Sequence, residues 1–374
     1  MFLRFSLISS ALVLFGTTSA TAWQQGGNPF DRFDANKDGK VTRDEVPERL
    51  RERFDLIDAN KDGLITPEEQ RTYLRPPGSP GTTDVKVEKD LPYAGTKNPR
   101  QTLDLLVPVI AKGSKPLPVV VNIHGGAWQS GDKSQGIGAI MSLVASGEYA
   151  GATIGYRLTD EAVWPAQIHD VKAAIRWIRA NAEKYHIDPD RIGVIGASAG
   201  GHLVAMLGTS GNLAELEGKL GVYPDVSSRV KCVVDEFGPS ELAVMMDYPS
   251  SVDHRSAQAP ESKLVGGAIL DKLDVAKSAS PITHVSSDDP PFLIIHGDKD
   301  PVVPFNQSER LTKALKKAGV DVHFIRVEGG GHGGFQNPEL TRRTRQFLDH
   351  YLRDQTVGSI SEAPVPNKAI APKK

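Results

Sequence analysis

Residues 194–202, VIGASAGGH, surround one hydroxyl with neighbours too small to obstruct it. The Gly-x-Ser-x-Gly spacing of Gly196, Ser198 and Gly200 suits a serine on a sharp strand-to-helix turn, where residues two before and two after it nearly touch. RIGVI (191–195) reads as the incoming strand and GGHLVAMLG (200–208) as the outgoing helix. Such a turn points the Ala199 amide, with the helix N-terminus behind it, at the space above the hydroxyl. A serine hydroxyl attacks a carbonyl well only when a base takes its proton and a carboxylate orients the base. Chain order places the acid and then a histidine downstream. IIHGDKDPVVP (294–304) supplies Asp298 and Asp300 on one loop, and residue types alone do not choose between them. VEGGGHGGF (327–335) places His332 in a glycine-rich loop after a later strand, so His332 is the expected base. Of the other histidines nearby, His202 is expected to cap or pack, and His296 to brace the acid loop.

A developing oxyanion needs backbone donors from a second loop after an earlier strand. VVVNIHGGAWQSGD (119–132) supplies it, with the amides of Gly126 and Ala127 joining Ala199. His124 is expected to fix that loop rather than do chemistry, and Trp128 either lines an acyl pocket or packs.

A second chemistry sits near the N-terminus. The pattern D-x-N-x-D-G-x-[VI]-T-x-x-E occurs twice. A hard cation such as Ca2+ takes six to eight oxygens, and this spacing delivers them from one turn. The first set is Asp34, Asn36, Asp38, the Lys40 carbonyl, Thr42 and bidentate Glu45; the second is Asp58, Asn60, Asp62, the Leu64 carbonyl, Thr66 and Glu69. Gly39 and Gly63 occupy the bend, and Val41 and Ile65 are expected to pair the loops through a short two-stranded contact. The segment resembles the EF-hand family, with one departure. The step from Asp34 to Asp58 leaves room for a single helix, near Val46–Ile57, where ordinary pairs have two and a linker. That compactness favours a structural or docking role for calcium over the opening motion of a sensor.

These groups need elements to hold them. Between about Val85 and Arg353, apolar runs at 117–124, 149–157, 191–198, 230–237, 291–297 and 322–329 read as strands covered on both faces. Helical periodicity marks 166–185, 308–319 and 339–352. The alternation implies a mostly parallel α/β sheet flanked by helices, with its site beyond the carboxyl ends of the strands. The expected layout is a signal peptide at 1–22, a small all-α calcium-binding pair at 23–74, a Pro/Gly linker at 75–84, a catalytic domain at 85–354 and a disordered tail at 355–374. Met1–Arg4 are basic, Phe5–Phe15 largely apolar, and cleavage is expected before Trp23, which would make the protein secreted or periplasmic. The 374 residues carry 39% hydrophobic and 24% charged side chains and a net charge of −2, which gives no case for nucleic acid or, after signal cleavage, for a membrane. Cys232 is the only cysteine, so no intrachain disulfide forms; VKCVVDEFG reads as a buried strand.

HGGAW (124–128), WPAQIHDVKAAIRWI (164–178), DPDRIGVIGASAGGHL (188–203), SASPITHVSSDDPPFLIIHGDKDPVVP (278–304) and GGGHGG (329–334) together resemble the α/β-hydrolase carboxylesterases, in particular the bacterial feruloyl/acetyl-esterase-like group akin to the hormone-sensitive-lipase type. The likeness covers roughly 85–353. It implies ester hydrolysis through an acyl-serine with no catalytic cofactor, and it makes the second aspartate of HGDKD, Asp300, the acid. Ala127 departs from the third glycine of many relatives. Residues 240–274 lack strand character and are expected to form a modest lid, better suited to a small-molecule or polysaccharide ester than to a lipid in a sealed tunnel. Two rival expectations are a prolyl-peptidase-like hydrolase and a calcium-dependent docking protein with an idle scaffold.

Overall fold

The computed structural model describes residues 33–34, 36, 38, 40–46, 51, 54, 57–58, 62–66, 83–110, 113–211 and 213–368. Two compact units divide between Ser79 and Pro80, inside the expected linker. The expected signal peptide lies outside the described residues. So do Asn60, Glu69 and most of the linker.

In the small unit, β1 (Val41–Thr42) and β2 (Leu64–Ile65) pair antiparallel, Val41 opposite Ile65, as the loop spacing requires. The unit is therefore not purely α-helical. Val41, Val46, Phe54 and Ile65 form its core, with Phe33 and Ile57 packed against it. Arg51, Phe54 and Ile57 are helical, in the stretch expected to serve both loops.

The large unit is built on a nine-stranded sheet: β3 (Val85–Pro92), β4 (Thr102–Pro108), β5 (Leu117–Ile123), β6 (Ala150–Ile154), β7 (Ile187–Ala197), β8 (Cys232–Glu236), β9 (Phe292–Gly297), β10 (Val322–Glu328) and β11 (Val365–Pro366). Their spatial order is β11-β10-β9-β8-β7-β5-β6-β4-β3. Every pairing from β6 to β11 is parallel, whereas β3–β4 and β4–β6 are antiparallel. The six expected strands are all present. Helices α1 (Ile137–Ala145), α2 (Ala166–Ala180), α3 (Ala199–Thr209), α4 (Asn306–Ala318) and α5 (Pro338–Arg353) cover the sheet.

Strand alternation sends neighbouring residues to opposite faces. Val119, Val121 and Ile123 join the core with α2, α3 and α4, while Val120 joins Ile140, Val144, Phe347 and Leu352 of α1 and α5. Cys232 is free and buried among the latter group, and burial pushes its thiol far above the ordinary range. It is a packing residue.

Two features differ from the sequence reading. β3 and β4 extend the sheet by an antiparallel edge. β3 carries Lys86, Glu88, Lys89 and Asp90, the charged composition that protects an edge strand and hides it from an apolar-run criterion. Residues 355–368 of the tail, expected to be disordered, are ordered. Ile360 and Val365 are buried against the α5 side of the sheet, and β11 pairs with Val327–Glu328. Arg343 of α5 donates to the carbonyls of Ser361 (2.9 Å) and Ala363 (2.6 Å), which satisfies backbone that would otherwise favour water. These contacts hold a segment whose own composition is polar and proline-dotted.

Candidate active site

Ser198 stands between β7 and α3 with φ 57° and ψ −121°, strained for a residue with a Cβ. The small neighbours are required by contact. A Cβ on Gly196 would run into the Gly200 carbonyl, one on Gly200 into the Ile123 carbonyl, and one on Gly201 would lie 2.5 Å from Asp235 Oδ1. The Ser198 amide donates to Glu236 O at 2.9 Å, tying the turn to the end of β8.

The expected triad meets there. His332 Nε2 lies 2.9 Å from Ser198 Oγ, and Nδ1 lies 2.7 Å from Asp300 Oδ2. A carboxylate can only accept, so Nδ1 carries the proton and Nε2 is free to accept from the serine hydroxyl. The other carboxylate oxygen of Asp300 accepts from the amides of Val302 (2.8 Å) and Val303 (3.0 Å). His296 adds a further bond, Nε2 to Asp300 Oδ2 at 3.2 Å, while its Nδ1 faces Ser308 Oγ at 2.7 Å. Burial would raise the Asp300 carboxyl; the bonds from His296, His332 and Val302 outweigh it and hold the carboxyl well below its usual range. Asp300 thus stays ionised. Asp298, the alternative acid, is turned away. It accepts from Arg326 Nε (2.9 Å) and the Gly329 amide (2.8 Å), fastening the acid loop to the start of the histidine loop.

The histidine loop sits directly on the acid loop. A Cβ on Gly297 would collide with Gly330 O, and the Lys299 amide donates to that same carbonyl at 2.8 Å. Phe237, just past β8, packs edge-on against the His332 ring with centroids 4.9 Å apart. Sequence reading did not single out Phe237; only its position after a strand end marks it.

In the oxyanion loop, Gly126, Ala127 and Trp128 take φ of 108°, 55° and 57° in succession. Gly125 packs against the nucleophile turn, where a Cβ would lie 2.7 Å from Ala197 O and 3.5 Å from Ser198 Cβ. The amides of Gly126, Ala127 and Ala199 donate to no protein acceptor among the described residues. They are available to a ligand. His124 fixes the loop as expected, its Nδ1 2.7 Å from Gly125 O and its ring stacked 4.3 Å from Tyr156. Trp128 packs: it is buried, and its Nε1 donates to His202 Nδ1 at 3.2 Å. His202 Nε2 meets Ala279 O at 2.6 Å, and burial pushes this imidazole down to about 4, so it is neutral and structural.

Two acids at the end of β8 were not anticipated. Asp235 faces α3 and accepts from the Gly238 amide at 2.9 Å. Glu236 points to the opposite face, into a cavity of about 460 Å³ behind the oxyanion and histidine loops that Asn122, Phe237 and Gly334 also line. Burial pushes both carboxyls up to about 7, Glu236 with help from the charge of Asp235.

In the small unit, Asp34 and Asn36 accept from the Asp38 amide at 3.1 and 2.9 Å, and Asp38 accepts from the Lys40 amide at 2.9 Å. Glu45 Oε2 folds back to accept from the amide and hydroxyl of Thr42, at 2.8 and 2.9 Å. In the second loop, Asp58 accepts from the amides of Asp62 (3.2 Å) and Gly63 (2.9 Å), and Asp62 from the Leu64 amide (2.9 Å). These all-oxygen side chains suit a hard cation. Among the described residues, no three His, Cys, Asp or Glu side chains are gathered into a metal cluster, and Thr66 is described whereas Asn60 and Glu69 are not.

Residues 103–315 match the BD-FAE family, residues 271–361 a TAP-like protein, and residues 29–46 and 50–72 the EF hand. Esterase LipC of Mycobacterium tuberculosis is 34% identical over 59% of this chain and 54% of its own length. The chain thus spans about half the length of the curated relatives it matches. Among solved structures, a truncated form of a carbohydrate esterase from gut microbiota is 36% identical with a TM-score of 0.67, covering 74% of this chain and 99% of that one. A bifunctional GH43-CE protein of Bacteroides eggerthii is 37% identical with a TM-score of 0.65, covering 72% of this chain and 38% of that one. With more than half of its residues matched, an α/β-hydrolase sheet and EF-hand segments ahead of it, the chain belongs to the BD-FAE family.

Proposed function

We propose that this protein is an exported serine carboxylesterase that removes acetyl or feruloyl groups from plant or algal polysaccharides. The unbroken chain of contacts from Asp300 through His332 to Ser198 Oγ carries the reading. Ser198 Oγ attacks the ester carbonyl carbon as His332 Nε2 takes the hydroxyl proton. Charge collects on the carbonyl oxygen, where the amides of Gly126, Ala127 and Ala199 receive it; one such donor contributes about 3 kcal/mol to the transition state. Collapse breaks the ester C–O bond, and the alcohol leaves with the proton from Nε2. Water then repeats the sequence on the acyl-serine and releases the carboxylic acid.

The polysaccharide substrate is supported by the relatives: one solved neighbour is a carbohydrate esterase, and another is a GH43-CE fusion. The lid segment supports it too, being made of short turns of helix at Leu242–Asp247, Pro260–Val265, Ile269–Asp271 and Leu273–Ser278 rather than a long covering helix. Export is proposed from the basic and apolar N-terminal pattern. Calcium is proposed as a structural or docking ion of the EF-hand segments, held in the first loop by Asp34, Asn36, Asp38 and Glu45. It would cross-link the loop and raise its stability, with no part in ester cleavage.

The test is a substrate panel of p-nitrophenyl acetate, butyrate and feruloyl esters, acetylated xylan and a prolyl anilide, run beside Ser198→Ala. Ester turnover and fluorophosphonate labelling, both lost in Ser198→Ala, are expected. Anilide cleavage above ester cleavage, or labelling that survives the substitution, overturns the assignment. Added calcium is expected to raise the melting temperature of the small unit, since a ligand that binds only folded protein stabilises it.

A further inference from the structure

Asp300 is gripped by two peptide units, and the far side of each is held by the lid. The Val302 amide donates to Asp300 Oδ1 (2.8 Å); the carbonyl of that same peptide unit, Pro301 O, accepts from the Ser251 amide (2.6 Å), Ser251 Oγ (2.7 Å) and Ser250 Oγ (3.1 Å). The Val303 amide also donates to Asp300 Oδ1 (3.0 Å), and its carbonyl partner, Val302 O, accepts from Ser250 Oγ at 3.0 Å. Ser250 is itself aimed. Its oxygen lies 3.0 Å from His254 Nε2 and accepts from the Val252 amide at 3.1 Å, and His254 Nδ1 lies 2.6 Å from Glu261 Oε1. His254 and Glu261 are both buried. The Ser250 hydroxyl shares its one proton between the two carbonyls, so both ring nitrogens of His254 act as donors, Nε2 to Ser250 and Nδ1 to Glu261, and a continuous line runs from Glu261 to the catalytic acid.

We infer that Ser250, held by His254 and Glu261, is a positioning residue for Asp300, through which the lid segment sets the alignment of the triad. A peptide unit whose carbonyl accepts a hydrogen bond is a stronger N–H donor, because chained hydrogen bonds polarise one another. The bonds from Ser250 and Ser251 therefore tighten the grip of the Val302 and Val303 amides on Asp300, and their loss loosens it. Ser250 touches neither the serine nor the histidine of the triad; it acts only through the acid. This inference rests on the esterase reading of the site.

The test compares Ser250→Ala, Ser250→Thr and Ser251→Ala with wild type on p-nitrophenyl acetate, together with the far-downfield proton resonance of the His332–Asp300 hydrogen bond. Loss of one net hydrogen bond scales to a rate change of about three- to tenfold. Ser250→Ala is expected to lower kcat by about that factor with KM within about twofold and to shift the resonance, in a protein that still folds with a modestly lowered melting temperature from the buried His254 donor it leaves unpaired. Ser250→Thr keeps the hydroxyl and is expected to restore both. Ser251→Ala is expected to do less, because the Ser251 amide still serves Pro301 O. Wild-type kcat and an unmoved resonance in folded Ser250→Ala overturn the inference, as does a loss that Ser250→Thr fails to restore. The resonance is read in the resting protein, so it decides the positioning role even where wild type turns over no ester, an outcome that sinks the esterase reading instead.

Discussion

Replacing Asp300 by Asn tests the tautomer logic most directly. One side-chain oxygen of Asp300 accepts from the amides of Val302 and Val303, and the other faces His332 Nδ1 at 2.7 Å and His296 Nε2 at 3.2 Å. An asparagine has one acceptor and one donor end. Its oxygen must stay with the two amides, which can only donate, so its NH2 group is forced toward the two imidazoles. Against that donor, His332 Nδ1 must give up its proton and place it on Nε2, where the serine proton has to go. His296 retains Val303 O as an acceptor at 3.1 Å, so the variant has a partner for each remaining proton and is expected to fold. A wrong tautomer with intact geometry costs about 10⁴ in kcat, or about 5 kcal/mol of barrier. The assay is kcat and KM on p-nitrophenyl acetate, with melting temperature as a control. Asp298→Asn is the internal comparison: its oxygen can still accept from Gly329, so turnover is expected within about threefold of wild type. An Asp300→Asn enzyme within tenfold of wild type, or an Asp298→Asn loss equal to it, would refute both the assignment of the acid and the tautomer reasoning.

Asp235 and Glu236 rise from ordinary values of 3.8 and 4.5 to about 7, so the folded chain binds more protons than the unfolded one in between. Their contribution is fully present below about pH 4 and lost by about pH 7, with a slope of at most about 1.4 kcal/mol per pH unit for each group. Glu236→Gln should therefore flatten the fall in melting temperature between pH 5 and pH 8, and an unchanged slope would contradict it. Ala127→Gly removes a side chain from a residue at φ 55° and is expected to raise stability by about 1 kcal/mol in denaturant unfolding, with the oxyanion amide retained. Val365→Asp places a charge where a buried valine anchors β11, and a stability loss of about 3 kcal/mol, read in the same unfolding assay, should accompany reduced turnover.

The parts of the site that sequence exposed are those where a backbone demand leaves a residue signature. Gly196 and Gly200 had to lack side chains because carbonyls occupy the space, and that need shows as spacing. Most of the six inner strands were legible because both of their faces are covered, which demands unbroken apolar runs; β10 departs from this, with Arg326 and Glu328 exposed, and shows instead by its alternation. Asp300 could not be separated from Asp298 by composition, since three-dimensional partners, His332 for one and Arg326 for the other, decide between them. The line from Glu261 through His254 to Ser250 left no trace either, because its members are ordinary lid residues until the fold brings Pro301 beside them. Nor did Glu236, whose side chain faces a cavity. The tail was misread for the converse reason. Its own composition is that of a loose segment, and what fixes it belongs to α5 and β10.

That tail strap gives the chain an order of assembly. The Asn367 amide donates to Glu328 O and its carbonyl receives the Gln336 amide, each at 3.0 Å, so one residue pins both flanks of the loop that carries the imidazole. The strap follows every other sheet element in the chain, so during translation the nucleophile turn is synthesised about 170 residues before the segment that secures its base. Until that segment is in place the serine turn stands complete while both flanks of the imidazole loop lack their tether, so the nucleophile and its proton acceptor are secured by separate parts of the chain.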